Sequence, residues 1–403
     1  MDKPESKRTR VAILECDRLM EIHYGHPSQE KIVGNIYKGQ AQDILPGMGS
    51  AFVDIGEKSS VFLSQRELNE GLLAQRGFRS RRGTIPINKV LHPGQSLILQ
   101  IRRAEIGSKN PQATMKISLP GRFWILLPTE DRLGVSRRIE SIRVQRRLRR
   151  IACELKKDGE GMIVRTAAQW ADREDLERDY RFLAETWNGI EAAARSAASP
   201  QLLYKALGLV QTILRDRLLP EVQEVIVDSP FFKEKILSFL EYMHMESYRD
   251  RIRVHQGKST LFERYHVEEQ IQETLSRRVD LAGGGFLVID EAEALTAIDV
   301  NTGGDVRHRS QQAAILNANL EAVTEITRQL RLRQISGIII IDLVDMENPS
   351  YMQRVVERLN VELKKDRVSA DFIDVTGLGL VEITRKREGE SLAGMLENAE
   401  FNA

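Results

Sequence analysis

Two apolar runs that each reach an aspartate, with one long amphipathic helix between them, constrain this chain more than anything else in it. The first is Ala297-Ile298-Asp299-Val300-Asn301-Thr302-Gly303-Gly304. The second is Ile338-Ile339-Ile340-Ile341-Asp342-Leu343-Val344-Asp345-Met346. β-Branched runs suit a pleated sheet, and four consecutive isoleucines predict a strand buried on both faces. From Gln311 to Arg333 the apolar positions Leu316, Leu320, Val323, Ile326 and Leu330 recur at three- and four-residue steps, the period of a helix with one buried stripe. Gly337 is the expected stop signal. Strand, helix and strand in this order predict an α/β unit with its acids at the carboxyl ends of the strands, the edge at which open α/β sheets bind ligands.

Asp299 and Asn301 are two residues apart, so on a strand they share a face. Ionised carboxylates beside apolar runs are costly unless a cation meets them. Asp299 and Asp342 facing one another would make a hard, all-oxygen site of the kind that Mg²⁺, or Mn²⁺, prefers. Asn301 would hydrogen-bond to Asp299 or to a substrate phosphate without adding repulsive charge. For either aspartate alone, a strand-end turn or a salt bridge is the plainer reading. The two segments together favour a metal site. Asp305 and Asp345 lie near it in sequence, and Asp345 is expected at the surface.

At 403 residues the chain exceeds one ordinary core, so two or more domains are expected. Lys+Arg 59 against Asp+Glu 58 leaves a net charge of +1. Bulk charge therefore does not announce a nucleic-acid binder, and its distribution has to be read instead. Cys16 and Cys153 offer neither a disulfide framework nor zinc-ligand spacing. No apolar run approaches the roughly eighteen residues that span a bilayer. The opening MDKPESKRTR lacks the apolar stretch of a secretory signal, so a cytoplasmic protein is expected. Gly283-Gly284-Gly285 precedes a strand, and no GxxxxGK loop is present, which counts against a phosphotransferase.

Upstream, Val11 to Ile22 reads as a hairpin or as one strand with a turn. From Val33 to about Ser118, evenly spaced strands punctuated by Pro46-Gly47-Met48-Gly49, Gly56 and Pro93-Gly94 predict a small barrel. Within it Lys38, Phe52, Phe62 and Lys109 have the mix by which OB-folds hold single strands, rings for bases and lysines for phosphates. Core packing is the alternative for either phenylalanine. Ile142 to Lys157 is a basic helix, and such charge runs are mostly solvated faces. Ile163-Val164-Arg165-Thr166 ends a strand on a guanidinium beside a hydroxyl, a combination that suits a terminal phosphate.

The stretch from Glu293 to Met346 (EALTAIDVNTGG, NANLEA, RQLRLR, GIIIIDLVDM) resembles the catalytic core of the ribonuclease E/G family, endoribonucleases that cut single-stranded RNA. Further likeness lies in Asn35-Ile36-Tyr37-Lys38-Gly39, Ala51-Phe52-Val53-Asp54, Ser136-Arg137-Arg138-Ile139-Glu140, Ile163-Val164-Arg165-Thr166 and Gly379 to Arg387 (GLVEITRKR). The wording is closer to the ribonuclease G branch.

The resemblance implies a multidomain α+β fold. Its parts would be an RNase H-like subdomain (1–34 with 216–275), an OB-fold RNA-binding insert (35–118), a 5′-monophosphate sensor (119–215) and a DNase I-like catalytic α/β subdomain (276–403). It implies Asp299, Asn301 and Asp342 as catalytic residues with Mg²⁺ on the two aspartates. Arg165 and Thr166 would hold the phosphate, supported by Arg137, with Gly121 and Ile125 at backbone positions near the first nucleotide. The implied work is rRNA and tRNA processing and mRNA decay, leaving 5′-phosphate and 3′-hydroxyl ends and stimulated by a 5′-monophosphate. The family's Cys-Pro-x-Cys zinc link is not matched, so no zinc is expected and a homodimer would form without it. Lys109 is followed by Asn110-Pro111 where the family places glycine, and Pro111 fixes that loop differently. A non-catalytic RNA-binding or ribosome-assembly factor is the second reading; Asp at both 299 and 342 counts against it.

Overall fold

The computed structural model describes residues 9–25, 32–78, 86–105, 110–302, 311–387, 391–394 and 396. They fall into two compact units, residues 1–27 with 255–403, and residues 28–254. The architecture is mixed α+β and multidomain.

The first unit opens with a hairpin, β1 (Thr9–Glu15) and β2 (Arg18–Gly25). Its two-residue turn places Cys16 and Asp17 at φ 50° and 61°, the left-handed pair that a tight hairpin turn requires.

Residues 28–254 begin with β3 (Ile36–Leu45), β4 (Ser50–Asp54), β5 (Val61–Ser64), α1 (Glu70–Gln75), β6 (Ser96–Arg103) and β7 (Gln112–Thr114). The order β3–β4–β5–β7–β6 closes when β6 pairs back onto β3, with Ile36 opposite Gln100. This is the OB-like five-stranded barrel. Ala51, Val53, Val61, Leu63, Leu99 and Ile101 fill it. A four-stranded sheet follows, from β8 (Leu119–Pro120), β9 (Trp124–Leu127), β10 (Leu133–Val135) and β11 (Gly161–Val164), with α2 (Ile142–Leu155) and α3 (Arg173–Ser196) packed on it around the fully buried Trp124. Strand β12 (Gln201–Tyr204) adds to the outer side of β3. Then come α4 (Leu209–Arg217), β13 (Val225–Val227), α5 (Pro230–Tyr242) and β14 (Ile252–Val254), which share a small core of Leu214, Ile236, Phe239, Leu240 and Ile252.

The rest of the first unit holds α6 (Leu261–Arg264), α7 (Val267–Leu275), β15 (Arg278–Asp280), β16 (Phe286–Glu291), β17 (Leu295–Asn301), α8 (Gln311–Leu332), β18 (Gly337–Asp342), α9 (Pro349–Leu363), β19 (Ala370–Val375) and β20 (Val381–Arg385). The strands order as β15–β16–β17–β18–β20–β19, and only β17 and β18 run parallel. The stripe on α8 lies where its period puts it, with Leu316, Val323, Ile326 and Leu330 packed on Ile298, Ile339 and Ile341. The opposite side of α8 meets the β1–β2 hairpin: Arg331 donates to Glu15 and Glu21, and Arg328 to the Leu19 carbonyl. The hairpin shares its core cluster with Phe262, Val267 and Ile271.

Two expectations are corrected. The isoleucine run is half-buried: Ile339 and Ile341 face α8, while Ile338 is 51% exposed on the other side of the sheet. Both α8 and α9 pack into one core on a single face, so the run obeys the two-residue alternation of a sheet with one open side. Gly337 is also the first residue of β18, at φ 94°, rather than the stop of α8; the left-handed residue past the helix is Gln334, at φ 57°.

Candidate active site

On the open face of the six-stranded sheet, β17 and β18 are in the register that sets Asp299 opposite Asp342. Neighbouring strands lie about 4.8 Å apart, so two like charges stand side by side. Both residues are exposed, whereas Ile298, Val300 and Ile341 beside them point into the core. Asn301 donates from Nδ2 to Asp299 Oδ2 at 2.8 Å, as its two-residue spacing predicts. Among the described residues no cationic side chain pairs with either aspartate. Among the same described residues, Asp299 Oδ1 and both Asp342 oxygens have no hydrogen-bond or ion-pair partner. Gly303, Gly304 and Asp305 lie outside the described residues. Asp345 is exposed, as expected.

The residues expected to receive a phosphate lie on and beside the four-stranded sheet. Arg165 directly follows β11, and Ser136 N–H donates to the Val164 carbonyl, which brings the Ser136-Arg137 turn alongside. Ser136 and Thr166 hydroxyls hydrogen-bond at 2.9 Å. Arg137 is exposed, and Ile125 pairs with Ile163 across β9 and β11. The guanidinium of Arg165 is not an empty fork. Nη1 donates to the Gly121 carbonyl and Nη2 donates to Asp216 Oδ1 at 2.7 Å, so two of an arginine's five N–H donors are already used. Burial lowers its pKa, against the pull of Asp216.

Around the barrel, Phe52 and Phe62 are direct cross-strand partners, in edge-to-face contact with ring centroids 6.1 Å apart. They are half-buried, on the face opposite Ala51, Val53, Val61 and Leu63, and belong to no core cluster. Lys38 goes elsewhere: Nζ donates to the carbonyls of Ala194 and Ala197, both at 2.8 Å, and caps the C-terminus of α3. That pairing with helix-end carbonyls stands against an RNA contact by Lys38. Lys109 lies outside the described residues. Pro111 beside it accepts from the Phe62 amide through its carbonyl.

The model of the "Ribonuclease E/G family" matches residues 118–388, which covers both the four-stranded sheet and the paired aspartates. Comparison with individual relatives agrees. Ribonuclease G of Salmonella typhimurium (strain SL1344) is 38% identical over 97% of this chain and 80% of its own length. Ribonuclease G of Haemophilus influenzae is 36% identical over 96% of this chain and 79% of its own. Ribonuclease E of Nostoc sp. (strain PCC 7120) is 35% identical over 95% of this chain and 55% of its own length. The chain belongs to the ribonuclease E/G family.

Membership makes this protein an endoribonuclease. Three of its residues support the candidate sites without having drawn attention in the sequence. Asn319, fully buried on α8, donates from Nδ2 to the Val344 carbonyl at 2.8 Å and accepts from the Val344 amide at 3.1 Å, which fixes the loop that leaves Asp342. The signal was present in NANLEA, an amide where the helical stripe calls for an apolar residue. Asp179 is buried on α3 and accepts from the backbone amides of Arg122, Phe123 and Trp124. Burial pushes its carboxyl up against the pull of those amides. A Cβ at Gly121 would stand 2.7 Å from Asp179 Oδ1, so only glycine fits where the turn wraps this carboxylate. Asp216, at the end of α4, bridges Arg165 and Arg215, and Arg215 also donates to the Pro120 carbonyl. Burial acts to raise the pKa of Asp216. The hydrogen bond from Arg215 and the charges of both arginines outweigh it and hold the carboxyl below its ordinary range.

Proposed function

We propose that this ribonuclease E/G family member cleaves single-stranded RNA internally with a divalent cation, Mg²⁺ or Mn²⁺, leaving 5′-phosphate and 3′-hydroxyl ends. The observation that carries the reading is the β17–β18 register, which sets Asp299 opposite Asp342 on an open face, with no lysine or arginine paired to either among the described residues. The donor set fits such an ion: two carboxylates with unused oxygens, no nitrogen or sulfur ligand, and room for the waters that Mg²⁺ keeps. Asp299 and Asp342 would hold it. When bound, the ion supplies positive charge against the scissile phosphate and makes a water molecule more acidic.

The chain's own residues set the geometry. Strand pairing fixes both carboxylates on one rigid surface. The Asn301 amide donates to Asp299 and has a second N–H that a phosphate oxygen would accept. Asn319 keeps the Leu343–Met346 loop from swinging across Asp342.

We infer that the paired rings of Phe52 and Phe62 stack on bases, being aromatic, outward-facing and backed by a barrel of the type used for single strands. A 5′-monophosphate would be received by the three N–H donors that Arg165 has left, by Thr166 and by Arg137. Asp216 and the Gly121 carbonyl pre-orient the Arg165 guanidinium for this, and Gly121 and Ile125 line the same edge. We extend the proposal to stimulation by that end and to roles in rRNA or tRNA processing and mRNA decay, as the family resemblance implies. The OB-like barrel would be its RNA-binding insert, the six-stranded sheet its DNase I-like part, and the hairpin with α6 and α7 a portion of its RNase H-like part.

The test is direct. A single-stranded, A/U-rich oligonucleotide with a labelled 5′ end is incubated with the protein, with and without Mg²⁺, and the product ends are mapped. Internal cuts that need the ion and leave 5′-phosphates are expected. Binding without any cleavage in Mg²⁺ or Mn²⁺ would return the chain to an RNA-binding factor.

A further inference from the structure

Helix α2 carries five arginines and a single acid, Glu154, over fourteen residues. In a chain whose net charge over all residues is only +1, this is a local excess. Its buried side is Leu148, Ile151 and Ala152. Arg147 is taken up by the fold, donating to the carbonyls of Gln169 and Ala171 in the turn that follows Thr166. The outward side holds Arg143, Arg146, Arg149 and Arg150, all exposed. Arg143, Arg146 and Arg149 make no ion pair among the described residues, and Arg150 reaches Glu154 only at 3.8 Å.

An ordinary solvated helix mixes its signs, as the first half of α3 does, where Arg173 pairs with Glu177 and Arg178 with Glu174 at i,i+4. Helix α2 does the reverse. Arginines at 143, 146 and 150, and at 146 and 149, are neighbours at three- and four-residue steps, and like charges there repel. Arg143 also stands in the first turn, where the helix dipole disfavours a cation and no acid offsets it. The arrangement costs the helix stability in isolation and gains only when an anion covers the face. From Arg143 to Arg150 the helix rises about 10 Å, enough to follow more than one phosphate of a strand. The helix lies next to the phosphate-receptor edge in sequence and in space, because its buried side packs on β10 and β11, which lead into Ser136 and Arg165.

We propose that the outward face of α2 is a track for the sugar-phosphate backbone of the substrate RNA, gripping it without regard to sequence or to the chemistry of its 5′ end. The inference rests on the ribonuclease reading and adds a contact surface to it. Guanidinium groups suit phosphate oxygens, and each phosphate neutralised on a single strand contributes about −0.7 to the slope of log K against log salt.

The experiment compares the wild-type protein with Arg143→Gln/Arg146→Gln/Arg149→Gln and with the same three positions changed to Lys. Binding of a single-stranded RNA oligonucleotide is followed by anisotropy without divalent cations, across a range of KCl. The expected result is a Gln variant whose salt slope falls by about 2 and whose Kd rises by the same factor for 5′-phosphate and 5′-hydroxyl RNA. Its KM should rise with little change in kcat, its melting temperature should hold, and the Lys variant should keep most of the slope. An unchanged slope and Kd in the Gln variant would overturn the proposal and make the face a solvated one, open to an acidic protein partner. A loss confined to 5′-phosphorylated RNA would overturn it too, by assigning the effect to the Arg165 edge. Failure of the wild-type protein to bind RNA at all would remove the ribonuclease reading itself.

Discussion

Asn319 and Val344 are joined by a reciprocal pair of hydrogen bonds, side-chain amide to backbone amide, between the buried middle of α8 and the loop two residues past Asp342. One carboxamide thus satisfies a donor and an acceptor that the turn would otherwise leave unpaired in an apolar setting. The candidate metal ligand stands on a strand at one end and on this clamp at the other. Asn319→Ala should therefore cost about 1–3 kcal/mol of stability. It should also lower kcat/KM by about ten- to a hundred-fold through misplacement of the loop, with RNA affinity nearly kept. Thermal unfolding, binding and steady-state cleavage measured together check it; intact kcat/KM in a destabilised variant would confine Asn319 to the fold.

The paired aspartates give the sharpest expectation. Asp299→Asn or Asp342→Asn should reduce cleavage by about a hundred-fold or more, while RNA binding changes only a few-fold. Chelation of divalent cations should reproduce the loss in the wild-type protein. Near-normal cleavage by either variant in Mg²⁺ would show that the facing carboxylates are not the metal site.

Phe52 and Phe62 separate binding from folding, because their rings stand outside the barrel core. Phe52→Ala or Phe62→Ala should weaken single-stranded RNA binding by roughly 1–3 kcal/mol. The melting temperature should move little. A large fall in melting temperature with unchanged Kd would contradict the stacking role.

At the phosphate-receptor edge, Arg165→Gln should remove a preference for 5′-monophosphorylated RNA of about ten-fold or more and leave the slower cleavage of 5′-hydroxyl RNA in place. The informative quantity is the ratio of kcat/KM for the two ends. A wild-type ratio near one would mean that Arg165 serves only the network with Asp216 and Gly121.

Asp216 predicts the acid limb of stability. Its folded pKa lies below the unfolded value of about 3.9, so its contribution is fully present above that pH and is lost as the pH falls through the folded value. Asp216→Asn should be destabilised at neutral pH, where the buried Arg215 and the half-buried Arg165 lose their carboxylate, and should lose less stability than the wild type as the pH falls below about 4. Urea denaturation across that range tests it; parallel acid limbs for the two proteins would exclude the linkage.

Much of this was written locally. Strand, helix and strand around residues 295–342 follow from periodicity. The pairing of Asp299 with Asn301 follows from the two-residue repeat of a strand. The barrel follows from turn spacing, and the family from motifs spread along most of the chain. These features depend on neighbours a few residues away, which is the range over which composition and period act.

What the sequence could not determine depends on partners far along the chain. Nothing near Lys38 says that its ammonium will cap a helix ending some hundred and sixty residues later. Nothing near Arg165 names Asp216 as its anchor. Nor does a run of four isoleucines reveal that only one of its faces will be covered, since that depends on both α8 and α9 choosing the same side of the sheet. The sequence by itself determined which residues could carry charge, stack or bind an ion. The tertiary structure decided which of them were left free to do so, because a buried donor or carboxylate must first be satisfied by whatever the fold brings within about 3 Å.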